Sequence, residues 1–171
     1  LIDALGNLTR WQYNAANVPV KKIYHDGTSE EYSYSGGLLS QKKNARGQVI
    51  GFGYDDNGNL TLVDYPDMAD VAITYNALDK PATMNDGLGT SSFGYDAMGR
   101  LTGVDGPFAD DTVTYAYDAM GRRSALGVQH GTGSDSVSYA YDALSRLDSL
   151  TNGAGTFDYS YAGNTGLVSS L

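Results

Sequence analysis

The chain has 171 residues, a formal charge of −9, no Cys and two His, with Gly at 22 positions and Tyr at 14. This composition excludes a disulfide framework, a thiolate nucleophile and a Cys-ligated or His-rich metal centre. Its acidity argues against a nucleic-acid backbone as partner, and no apolar run approaches the roughly 18 residues of a membrane-spanning helix.

A half-period, Asp3-Ala4-Leu5-Gly6-Asn7-Leu8-Thr9, opens the chain. Tyr then recurs as an anchor at Tyr13, Tyr34, Tyr54, Tyr75, Tyr95, Tyr117, Tyr141 and Tyr161, at intervals of 20 to 24 residues. Two residues before each anchor stand Trp11, Tyr32, Phe52, Ile73, Phe93, Tyr115, Tyr139 and Tyr159. A spacing of two puts both side chains on one face of a strand. Val113 and Val137 extend the stripe, while Thr114, Ala116, Ser138 and Ala140 supply a face of small residues behind it.

After the anchor comes a turn. Tyr95-Asp96-Ala97-Met98-Gly99-Arg100-Leu101 is the clearest copy. Asp96 can accept bonds from backbone N–H groups ahead of it, and Gly99 supplies positive φ at low cost. The expected form is a type I turn closed by a glycine bulge. The same reading covers Asp55, Gly58 and Leu60, then Asp118, Gly121 and Arg122, then Asp142, Arg146 and Leu147. A second strand follows, where the pairs Leu60/Val63, Leu101/Val104 and Leu147/Leu150 are spaced by three, so a bulge or strong twist is expected there. A second turn closes each period at Asp26-Gly27, Asp86-Gly87, Gly106-Pro107 and Asn152-Gly153, and longer loops are expected from Pro107 and Gly131. Each period therefore holds two strands and two turns, roughly 16 strands in all, with helix nearly excluded.

The tandem Y-D-A-x-G-R-L pattern resembles the YD-repeat, or Rhs-repeat, family, from about Asp3 to Leu167. The resemblance implies hairpin arrays that spiral into a hollow shell, as in Rhs effectors, toxin-complex components, wall-associated YD proteins and teneurins. It implies that the shell encloses a C-terminal toxin or, in teneurins, supports adhesion. The implied roles of Tyr95, Asp96, Gly99, Arg100 and Leu101 are turn formation and packing. The Tyr34, Tyr75 and Tyr161 copies depart from the consensus, and Ser145 replaces a turn glycine. No Asp-Pro-x-Gly-Leu-like self-cleavage element is present.

Other candidates for chemistry are weak. Asp55-Asp56, Asp110-Asp111 and Glu30-Glu31 are adjacent pairs, whose side chains point opposite ways on a strand. His25 and His130 fall at expected turns. His130-Gly131-Thr132-Gly133-Ser134-Asp135 resembles a calcium repeat but occurs once, without the tandem nonapeptides such sites need. Residues 1–50 carry a net +2 and the rest −11. Lys21-Lys22 and Lys42-Lys43 are therefore read as either an anion patch or solvated surface.

The expected architecture is all-β: tandem antiparallel β-hairpin (YD) repeats forming a curved, twisted sheet or strip, a segment of a shell. The expected organisation is a single array over 1–171, about eight repeats of about 21 residues, truncated at both ends. A non-enzymatic scaffold without cofactor or metal follows, its partners being neighbouring repeats of a parent protein and a toxin cargo. The alternative is an adhesion or carbohydrate-binding module that uses the repeated aromatics. A homo-oligomer of the fragment also fits. A secreted or cell-surface, bacterial setting follows from the resemblance alone.

Overall fold

The computed structural model describes residues 1–170. Those residues divide into two compact units, Leu1–Leu88 and Gly89 onward. The first holds β1 (Arg10–Tyr13), β2 (Pro19–Ile23), β3 (Ser29–Ser35), β4 (Leu38–Lys43), β5 (Val49–Tyr54), β6 (Leu60–Asp64), β7 (Val71–Tyr75) and β8 (Pro81–Asp86). The second holds β9 (Gly89–Tyr95), β10 (Leu101–Asp105), β11 (Val113–Tyr117), β12 (Arg123–His130), β13 (Gly133–Tyr141), β14 (Leu147–Asn152) and β15 (Gly155–Asp158). Within each unit the strands lie side by side in chain order, each antiparallel to the next. A separate pair, β16 (Ser160–Tyr161) and β17 (Val168–Ser170), ends the described chain. The fold is all-β and built of tandem antiparallel hairpins.

The expected bulge is present and explains the three-residue spacing. Leu101 pairs with Tyr95 and Val104 with Phe93, and the register shifts between Leu101 and Gly103. The extra residue returns Val104 to the face that Leu101 occupies. Leu60 and Val63 meet Tyr54 and Phe52 in the same way, as Leu147 and Leu150 meet Tyr141 and Tyr139. Without the bulge, half of each apolar pair would point to the opposite face.

That face is only half covered. Among the described residues none is buried. Phe93, Tyr95, Tyr115 and Tyr117 are half-buried, while Ser92, Gly94, Thr114 and Ala116 between them are exposed. A single layer of strands cannot do better, because a sheet buries a face only against a second layer. Each ring is therefore covered by its cross-strand neighbours. The small-residue face makes its own cross-strand bonds, with Thr74 and Thr83 hydroxyls 2.7 Å apart and Thr151 and Thr156 hydroxyls 2.9 Å apart.

Two local expectations differ from what is found. The residues from Gly131 do not lengthen a loop. They extend β12 and β13, which pair down to His130 and Gly133 across a two-residue turn. Alternating Val, Ser and Tyr continue the strand pattern there, so the ladder runs on. The second difference is at Tyr34, where Gly36 (φ +58°) and Gly37 (φ +85°) make a two-residue turn. Two successive positive φ values match the twist of a hairpin, while the register shift stays just before the anchor, between Ser33 and Tyr34, as it does before Tyr54 and Tyr75.

Candidate functional site

The repeating feature of the molecule is its turn and what that turn does to the next repeat. In the 96–100 turn, Asp96 N–H donates to Arg100 O at 3.0 Å and Gly99 N–H donates to Asp96 O at 2.9 Å. Asp96 Oδ1 accepts from Met98 N–H and Arg100 N–H, both at 2.9 Å. Asp96 Oδ2 then accepts from Arg100 Nε at 2.6 Å. One carboxylate thus fills three donors and holds the Arg side chain in one orientation. The 118–122 and 142–146 turns repeat every one of these bonds. Ser145, in the glycine position, takes φ +63°.

The bonds hold these carboxyls below the ordinary carboxylate value. For Asp96 the main cause is the Arg100 backbone N–H, with the Arg100 side chain and Met98 N–H adding to it against partial burial. Asp142 follows the same order through Arg146 and Leu144. At Asp118 burial is the largest single influence and pushes upward, but the bonds from Arg122 and Met120 together outweigh it.

The held guanidinium serves the following repeat. Arg100 lies over the Tyr117 ring at 4.5 Å, Arg122 over Tyr141 at 4.4 Å and Arg146 over Tyr161 at 4.3 Å. Each of these tyrosines also donates its hydroxyl to a main-chain carbonyl beside that Arg. Tyr117 reaches Leu101 O at 2.8 Å, Tyr141 reaches Arg123 O at 2.7 Å and Tyr161 reaches Leu147 O at 2.7 Å. The anchor tyrosine is therefore a strut between repeats, apolar along its ring and bonded at its tip. Tyr75 bonds Leu60 O at 2.9 Å and Tyr34 bonds Pro19 O at 2.9 Å in the same fashion. These Arg–Tyr contacts span strands and were not foreseen from the sequence. The signal was present, since Arg stands five residues after each Tyr of the three clearest copies and is followed by another anchor.

The first unit links its repeats with other groups. Asp55 accepts from Asn59 Nδ2 at 3.0 Å, which is the main cause of its lowered pKa. Asn57 and Asn59 both donate to Asp79 Oδ1 at 2.9 Å, and Asp79 occupies the glycine position at φ +53°. Three more turns of this form use Asn14, Asn44 and Asn76 as the capping residue, and the 3–7 turn uses Asp3. The lysine pairs are solvated surface whose charges are met by neighbouring groups. Lys21 pairs with Glu31 at 2.9 Å and Lys42 with Glu30 at 3.1 Å. Lys22 lies over the rings of Tyr24 (4.5 Å) and Trp11 (5.4 Å). Trp11 stacks on Tyr32 at 6.1 Å. Partial burial, followed by the bond to Glu30, raises the Tyr32 phenol well above its usual value.

Each adjacent pair has at least one carboxylate engaged structurally. Glu30 and Glu31 hold lysines, Asp55 caps its turn, and Asp111 accepts from Gly106 N–H and Phe108 N–H at 2.9 Å. His130 ends β12, with Nδ1 3.0 Å from Thr132 Oγ1 and Nε2 3.2 Å from Asp135 Oδ2. His25 lies exposed beside the 24–28 turn. Among the described residues no group of three or more His, Asp or Glu is placed to hold a metal ion. What the turn tips do present is apolar: Met98, Met120 and Leu144 are 79%, 71% and 53% exposed.

Hairpins tied in series by a turn carboxylate, a guanidinium and the next tyrosine define a tandem β-hairpin repeat scaffold. Residues 32–67 and 75–110 match the family model described as RHS Repeat. These two stretches are similar to RHS repeats. Two solved structures similar to it are crystal structures of TcdB2–TccC3, one with Cdc42 and one without the hypervariable C-terminal region. Each has a TM-score of 0.66 at 16% identity, covering 83% of this chain and 9% of that one. A third is the Tc holotoxin pore of Photorhabdus luminescens, at TM-score 0.54 and 14% identity, covering 96% of this chain and 13% of that one. The chain thus spans about a tenth of the length of the structures it matches. No curated protein matches it.

Proposed function

We propose that the chain is a wall segment of an RHS/YD-repeat shell, a non-enzymatic scaffold that encloses or displays a toxin or other effector encoded elsewhere in a parent protein. The carrying observation is the clamp between successive repeats. It ties successive hairpins of the second unit together, and the single layer stays uncovered, as suits a wall rather than a folded core. The likeness to TcdB2–TccC3 supports this reading, since one of those proteins carries a hypervariable C-terminal region. The cargo, the neighbouring repeats as partners, a bacterial origin and a secreted or cell-surface setting belong to the same proposal. So does the division into about eight repeats of one continuous array, in which the aromatic and turn positions serve as structural residues.

Light scattering with small-angle X-ray scattering tests it. A compact globule of 171 residues has a radius of gyration of about 15–16 Å. A strip of roughly 16 strands at about 4.8 Å spacing has a contour of about 77 Å and a radius above about 20 Å. An extended monomer or a regular homo-oligomer supports the wall segment, and a compact monomer overturns it.

A second reading has its own observation. Trp11 and Tyr13, 40% and 54% exposed, stand beside Tyr32 and Lys22 on one face. Stacked rings of this kind bind sugar faces, so a glycan-binding role is tested by titrating cell-wall and host glycans into the protein by isothermal calorimetry. Saturable binding that Trp11→Ala abolishes establishes it, and a flat titration removes it.

A further inference from the structure

Asparagine precedes glycine twice, at Asn57-Gly58 and Asn152-Gly153, and the fold holds the two pairs differently. Such a pair cyclises when the glycine nitrogen loses its proton and attacks the carboxamide carbon. At Asn57 both reacting groups are tied. Gly58 N–H donates to Asp55 O at 3.0 Å, which opposes its deprotonation. The Asn57 carboxamide donates to Asp79 Oδ1 at 2.9 Å, which holds it toward the neighbouring repeat.

At Asn152 the arrangement is reversed. Its Oδ1 accepts from Ala154 N–H at 2.9 Å. That bond keeps the carboxamide against the 152–154 backbone and draws electron density from Cγ. Gly153 is exposed, and its N–H donates to no described group. A Cβ placed on Gly153 would meet nothing within 4 Å, so the turn is open to solvent.

We propose that Asn152-Gly153 is a site of spontaneous backbone modification by which the second unit ages. The Gly153 nitrogen, deprotonated by solvent base, bonds to Asn152 Cγ. The Cγ–Nδ2 bond then breaks, ammonia leaves with a proton from water, and a succinimide ring remains. Water adds to one ring carbonyl or the other, giving aspartate or isoaspartate. One water is consumed and one ammonia released for each site converted. The aspartyl product fits the turn, because Asp86 already occupies the same kind of position, accepting from Leu88 N–H at 2.8 Å. The isoaspartyl product does not fit. It adds a methylene to the main chain where Asn152 pairs with Gly155, so it loosens β15 from β14.

The test is incubation of the intact chain at mildly alkaline pH. Peptide mass spectrometry follows amide-to-acid conversion, and enzymatic carboxyl methylation counts isoaspartate. The expected result is conversion at Asn152 with Asn57 remaining an amide, and conversion of both in urea. Gly153→Ala, which has room and no left-handed φ to satisfy, keeps the fold and loses the conversion. Conversion of Asn57 at the pace of Asn152 in the folded chain overturns the proposal. So does unchanged conversion in Gly153→Ala, or an Asn57 that stays an amide in urea.

Discussion

The two units solve the same problem with different side chains. Both use one backbone turn, with the N–H of the capping residue reaching four residues ahead. Both tie an anchor tyrosine hydroxyl to a carbonyl of the preceding hairpin. In the second unit the capping residue is Asp, the residue that closes the turn is Arg, and the guanidinium covers the next tyrosine. In the first unit Asn replaces Asp in three turns, and Asn59 with Asp79 replaces the guanidinium link. The turn main chain and, at five anchors, the tyrosine hydroxyl are thus the part of the device that the two units share. The stacked guanidinium is an elaboration confined, among the described residues, to the second unit.

Removal of a whole tyrosine tests this most strongly. Tyr117→Ala deletes a half-buried ring, its hydroxyl bond and its guanidinium contact, and is expected to cost about 3 kcal/mol. Tyr75→Ala lacks the guanidinium contribution and should cost about 0.5–1 kcal/mol less. Urea melts of both variants check the difference, and equal losses would show that the stacked Arg adds nothing. Gly121→Val comes next, at about 2 kcal/mol, because Gly121 sits at φ +82°, where a β-branched residue is strained. A parental midpoint for this variant would break the turn assignment.

Loss of the hydroxyl alone is smaller and should be alike in the two units. Tyr75→Phe and Tyr117→Phe are each expected to cost about 1 kcal/mol, measured in the same melts. The glycine-position substitutes should differ in sign. Ser145→Gly relieves φ +63° and gains a few tenths of a kcal/mol, roughly the αL cost less the entropy of glycine. Asp79→Gly relieves φ +53° but loses the bonds from Asn57 and Asn59, so it gains nothing or destabilises.

Acid gives the finest separation. The carboxyls of Asp96, Asp118 and Asp142 titrate below their unfolded value. Their contribution is therefore complete above that value, about pH 4, and is lost as pH falls through the lower folded values. The Asn44 and Asn76 turns have no carboxyl at this position to protonate. Hydrogen exchange of Arg100, Arg122 and Arg146 amides should accelerate below about pH 4 relative to Gln48 and Lys80, after correction for intrinsic rates. Parallel behaviour of the two sets would erase the distinction between the units.

The period, the aromatic stripe and the bulge were legible because each is local. Tyr95, Gly99 and Leu101 sit within one hairpin, and a three-residue spacing admits few readings on a strand. The destination of Arg100 was not legible, because Tyr117 becomes its neighbour only once β10 and β11 pair. Ser145 and Asp79 looked like damaged turns, but αL costs a polar residue little when the surrounding bonds are complete. The Gly131 segment looked like a loop, since its Gly and Ser content hides an alternation that only the pairing of β12 with β13 makes plain.

By itself the sequence determined strand, turn and facing, since these follow from side-chain alternation and glycine placement within a few residues. Only the tertiary structure decided what joins one hairpin to the next. Those bonds link residues 14 to 18 positions apart, and their geometry exists only when strand order brings a turn carboxylate, a guanidinium and a phenol together.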